Sequence, residues 1–81
     1  MKWKGINRYN EYSIDLICHK NHVAGSTVNS ERNALRLMRI YKARRDNKGL
    51  HTEYALLSQF VEFDKKKKRN VYKVIRQIDF N

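Results

Sequence analysis

Nine basic side chains define the chemistry this chain could do. Arg32, Arg36 and Arg39 recur at helical steps with Arg44 beyond them, and Lys65, Lys66, Lys67, Lys68 and Arg69 form an unbroken run. Phosphate groups ask little more of a protein than positive charge within reach, so both sets suit a polyanion. A solvated helix face usually interleaves acids with bases, because opposite charges at i, i+4 attract. From Arg32 to Arg45 there is no acidic residue. Lysine in the second set favours contact with a phosphate backbone over reading of base edges, since an ammonium is a point charge without the planar fork of arginine. The competing explanations are a helix face that is merely basic and a loop tip whose lysines serve solubility and blunt aggregation.

Cys18, His19, His22 and His51 are the next chemically versatile group. A structural zinc takes four ligands, commonly as two closely spaced pairs. This chain has a single cysteine, and on a strand reading Cys18 faces inward while His19 faces out. The sequence therefore implies no metal site and no cofactor, and the histidines read as surface side chains. A small ribonuclease, of the kind found among toxins, would need a general base and a cation beside the scissile phosphate. His19, His22 or His51 with a helix arginine could supply them, and Glu62 with Asp64 is the one acid pair resembling a metal-nuclease site. Neither a Gly-rich phosphate loop nor a nucleophile elbow is present. The expectation is a protein that is not an enzyme.

The elements that must hold these residues follow from periodicity. Ala34, Leu37, Met38 and Tyr41 share one side of a helix at about 100° per residue, opposite Arg32, Arg36 and Arg39. Asn29 or Ser30 can cap it, Glu31 suits its positive end, Arg44, Arg45 and Lys48 suit its negative end, and Gly49 stops it. The expected helix covers about 30–47. Residues 11–19 alternate as a strand, with Tyr12, Ile14, Leu16 and Cys18 on one face. Lys20-Asn21-His22 reads as a turn, Val23-Ala24 as a short returning strand, and Gly25-Ser26-Thr27 as a lead into the helix. Residues 52–63 are apolar at too many positions for either period to win; the strand reading from about Leu56 is preferred because another strand, Val71–Phe80, follows closely. Its expected faces are Tyr72, Val74, Ile78 and Phe80 against Lys73, Ile75, Gln77 and Asp79, with Arg76 interrupting the first. The hairpin spans about 56–80, with Lys65–Arg69 at its tip and Asn70 supplying a left-handed residue. A helix over 52–60 would instead give a minimal winged helix. Residues 1–10 read as a short edge strand or ordered arm, with Trp3 packed on the core or offered to a nucleic acid.

Lys4-Gly5-Ile6, a strand, Gly25, then Glu31 and Ala34 opening a helix is similar in order to the AP2 and integrase-arm DNA-binding domains, which lay a three-stranded sheet into the major groove. Thr27 stands where those domains carry an aromatic, and no third strand is read before the helix. No residue role is carried over.

Length and charge bound the rest. At 81 residues the chain makes one domain, 1–81, of α+β class: an antiparallel sheet of three to four strands in β-α-β-β order against one main helix. So short a chain has a thin core, to which nine aromatics contribute and to which a homodimer would add. The formal charge of +10 attracts polyanions. No stretch reaches the ~18–20 apolar residues of a membrane span, no secretory leader is evident, and one cysteine forms no intrachain disulfide, so a cytoplasmic protein without a membrane partner is expected. The expected partner is nucleic acid, DNA or RNA, or a ribonucleoprotein or acidic protein surface. Very short, proline-free chains rich in Lys, Asn and Ile also resemble phage and mobile-element inhibitors, including anti-CRISPR-like proteins and blockers of transcription or restriction. A small ribonuclease toxin is the remaining alternative.

Overall fold

In the computed structural model, which describes residues 11–80, two hairpins flank one helix: β1 (Tyr12–Cys18), β2 (Asn21–Val28), α1 (Glu31–Asn47), β3 (Tyr54–Asp64) and β4 (Arg69–Asp79). The strands form one antiparallel sheet in the order β2-β1-β3-β4. This is the expected α+β domain, with four strands. Residues 54–64 pair in the sheet, so the second helix of a winged helix is not formed. The expected N-terminal arm with Trp3 lies outside the described residues.

The alternation in β1 sets the core. Ile14, Leu16 and Cys18 turn inward, and Ile14 and Leu16 meet Ala55 and Leu57 of β3 and Ala34 and Met38 of α1. Ile14, Leu16 and Leu57 are fully buried, each stabilising the fold by about 1.5–3 kcal/mol through removal of apolar surface from water. Of the predicted stripe on α1, Ala34 and Met38 are buried and Leu37 and Tyr41 half-buried, as the 3.6-residue period requires. Ser30 is the cap: its hydroxyl accepts from the backbone N–H of Asn33 at 3.2 Å. At the other end Gly49 takes φ of 74°, a left-handed conformation that glycine adopts without steric cost.

The bulge at Ile75 puts Tyr72 and Val74 on the face opposite Ile78 and Phe80, instead of the one face expected for all four. Three further details of the hairpins differ from expectation. The β1–β2 turn is His19-Lys20, with φ of 52° and 66°, rather than Lys20-Asn21-His22. Two consecutive positive φ values are what a two-residue loop needs to match the twist of its strands. Second, β2 is a full edge strand from Asn21 to Val28; Gly25, Ser26 and Thr27 pair with Asp15, Ile14 and Ser13 instead of leading into the helix. An edge strand is paired on one side and half-covered, so polar residues fit it. Third, β3 begins at Tyr54 and β4 at Arg69, so Arg69 and Asn70 belong to the ladder, opposite Asp64 and Phe63. The left-handed residue of that turn is Lys68, with φ of 53°, not Asn70.

Gly25 has a separate reason to be glycine. A Cβ there would stand 2.6 Å from His22 Nε2, 2.7 Å from Asp15 Oδ1 and 2.7 Å from the Ile14 carbonyl oxygen. The 2.9 Å contact between His22 and Asp15 crosses directly over this backbone.

Candidate nucleic-acid interface

The long hairpin of β3 and β4 leaves the body of the domain. Arg76 of β4 lies 3.9 Å from Glu31 in the first turn of α1, and Phe80 lies under Lys42 in a later turn, 5.2 Å from ring centre to Nζ. β4 therefore passes under the helix only from about Arg76 onward. Its earlier residues, back to Arg69, run about 20 Å past the helix N-terminus at ~3.3 Å per residue. The molecule is correspondingly elongated, 44 × 24 × 20 Å.

At the end of this ribbon stand Lys65, Lys66, Lys67 and Lys68, all exposed, with Arg69 exposed at the first ladder position. Asp64 organises the tip: its Oδ1 accepts the backbone N–H groups of Lys66 at 2.9 Å and Lys67 at 3.2 Å. Its carboxylate shapes the turn while the lysine ammonium groups remain free of it. Glu62 and Asp64 thus belong to the ribbon end, and Asp64 is an acceptor for the turn.

Arg32, Arg36 and Arg39 are exposed on the side of α1 away from the sheet. Arg36 also borders a groove between α1 and β2, with Val28, Asn33, Leu37 and Ile40. Arg44 sits on that β2-facing flank rather than on the outer stripe, beside Lys48, Leu50 and Val23, with its guanidinium 6.0 Å from the Tyr41 ring centre. Among the described residues no carboxylate lies within 4.0 Å of a charged nitrogen of Arg32, Arg36, Arg39, Arg44 or Lys65–Arg69; the ion pairs found join Asp46 to Lys42 and Glu31 to Arg76, and Asp15 contacts the His22 ring. Among the described residues nine exposed cations therefore stand on ordered elements with no carboxylate in ion-pair contact, the nearest in the ladder being Asp64 opposite Arg69. The helix set and the ribbon set are separate: one caps the domain above the sheet, the other ends the projection. Arg45 is different in kind. Its guanidinium donates to Thr52 Oγ1 at 2.8 Å and to the His51 carbonyl oxygen, fastening the loop after the helix.

The ribbon also holds apolar side chains, which charge counting does not detect. Val61, Phe63, Val74 and Ile75 are 55%, 39%, 51% and 44% exposed. The ladder is interrupted twice here, with Val61 and Ile75 as the extra residues of two bulges. Phe60 and Tyr72, directly opposite one another, pack edge to face at 5.9 Å between ring centres.

His22 does not converge on the arginine stripe. His22 lies with Asp15 on the helix-free side of the sheet, whereas Arg32, Arg36 and Arg39 lie beyond α1 on the other side. Cys18 and His19 come together with Glu53, a residue the sequence reading did not include, their ligand atoms within 4.8 Å of one another. Glu53 Oε1 already accepts the His19 backbone N–H at 2.6 Å, and three ligands fall short of a closed structural zinc site. Among the described residues no helix is long and apolar enough to cross a membrane. No protein-family model, curated protein or solved structure matches the chain.

Proposed function

We propose that this protein is a non-enzymatic basic module that binds nucleic acid. Lys65–Arg69 at the ribbon tip and Arg32, Arg36 and Arg39 on the outer face of α1 act as electrostatic contacts, with Arg44 a flanking one. The observation that supports this best is the position of the tip. A run of cations has been placed at the end of a projecting two-stranded ribbon, and the nearby Asp64 carboxylate is turned to backbone N–H groups. Counterion release from a phosphate chain would supply the driving force, and a net charge of +10 would steer association. Lysines at the tip give positioning without base identity.

The experiment compares fluorescence anisotropy of labelled oligonucleotides with two variants. One reverses the helix face (Arg36→Glu with Arg39→Glu), and the other neutralises the tip (Lys65, Lys66, Lys67 and Lys68 each to Ala). All of these side chains are exposed, so far-UV circular dichroism is expected to stay unchanged. Each variant is expected to lose affinity at least about tenfold at low salt. Full affinity in both, with the fold intact, would refute the proposal. Loss in the tip variant alone would confine the interface to the ribbon.

A further inference from the structure

The two faces of the sheet differ in chemistry, and the difference names a ligand class. Cross-strand partners share a face. Ile14 and Leu16 point to α1, so their partners Leu57 and Ala55 do too, while Leu56, Ser58 and Phe60 point to the other side. β4 continues this: Val74 opposite Ser58 and Tyr72 opposite Phe60 lie on the helix-free face. From Tyr72 the strand runs without a bulge to Asn70, so Asn70 and its partner Phe63 return to that face. Phe60 and Phe63 are therefore on one side of the ribbon, their ladder positions about 7 Å apart along the strands. Tyr72 holds the Phe60 ring edge to face, and the tip lysines begin two residues beyond Phe63.

Resting on the nucleic-acid reading above, we infer that the helix-free face of the ribbon binds single-stranded nucleic acid by stacking unpaired bases on Phe60 and Phe63, while Lys65–Lys68 hold the backbone. Reading a duplex through base edges needs forked or amide side chains, typically Arg, Asn or Gln. This part of the face offers Phe60, Phe63, Tyr72 and Val74, with Ser58 buried beneath and Asn70 as its one amide. Aromatic rings beside a cationic groove are instead the arrangement that grips single strands without regard to sequence, because every base has a π-face. Four-stranded antiparallel sheets with aromatics on an open face can bind RNA in this way. Charge also chooses between occupants. A second copy of the chain would bring another +10 against the ribbon, and bulges at Val61 and Ile75 break the regular edge that strand pairing needs. A polyanion brings the opposite charge.

The test titrates the full chain with a 12-nucleotide oligo-dT, the matching oligo-rU and a 12-base-pair duplex, repeated with Phe63→Leu and Phe63→Tyr. Phe63 is at the ribbon end, away from the buried core, so both variants are expected to fold. Leucine keeps the apolar bulk and removes the π-face; tyrosine keeps both. The inference predicts that single strands bind at least about tenfold tighter than the duplex, that Phe63→Leu weakens them about fivefold or more, and that Phe63→Tyr restores them. The dT and rU arms show which sugar is preferred. Equal or tighter duplex binding would overturn the inference and leave the nucleic-acid reading standing. Wild-type affinity in Phe63→Leu would overturn it too, as would sedimentation of the free chain as a dimer that Phe63→Leu dissociates. Failure of all three ligands to bind would instead remove the reading beneath it.

Discussion

Single residues carry both strain and contact. His19 and Lys20 sit at φ of 52° and 66°, where side chains with a Cβ are disfavoured, and each such position costs on the order of 1 kcal/mol. Replacing the pair by Asn-Gly should raise the urea midpoint by about 1 kcal/mol equivalent, because those residues suit this two-residue loop. An unchanged or lower midpoint would show that the His19 or Lys20 side chain compensates. Gly25 predicts the opposite sign. Gly25→Ala places a methyl group 2.7 Å from the Ile14 carbonyl, on a backbone that cannot simply swing aside, and should destabilise the protein by about 1–3 kcal/mol. Adding His22→Ala removes only one of the three close contacts and should recover part of that loss in thermal melts. The β1 alternation of Tyr12, Ile14, Leu16 and Cys18 was readable in the sequence because one face is buried and the other is not. The strained turn was not, since neither His19 nor Lys20 is a residue type that announces positive φ.

The elements show where periodicity succeeds and where pairing decides. The helix was legible to within a residue because its buried stripe, its Ser30 cap and Gly49 all agree. Ser30→Ala should cost about 1 kcal/mol by leaving the Asn33 N–H without its acceptor, measurable by urea unfolding. β2 was legible only at Val23-Ala24, because Gly25-Ser26-Thr27 has loop composition and takes strand form from its partner β1. β3 was ambiguous because both its faces are covered in part, which hides the two-residue period. Of the candidate site, the cations were legible from charge alone; the ribbon's aromatic face was not, since its register depends on two bulges. The tip should be separable from the fold. Exchanging Lys65–Lys68 for a two-residue Asn-Gly turn between Asp64 and Arg69 should leave the melting temperature nearly unchanged. It should also reduce the salt slope of nucleic-acid binding by about 3, four contacts at ~0.7–0.9 each. A collapse in stability would mean that the tip is part of the folding unit.

For the whole molecule, charge sets the behaviour. Eighteen basic against eight acidic residues repel one another in a domain with few fully buried side chains. Sodium chloride should therefore raise the melting temperature between low and physiological salt, as screening relieves the repulsion. A falling melting temperature would contradict that. The most direct test of the central claim is the salt dependence of wild-type binding to single-stranded and duplex oligonucleotides. The expected result is sub-micromolar affinity at about 150 mM salt, falling along a straight log–log line whose slope counts several neutralised phosphates. Binding to both ligands that has vanished by that salt concentration would contradict the claim, leaving only generic charge attraction.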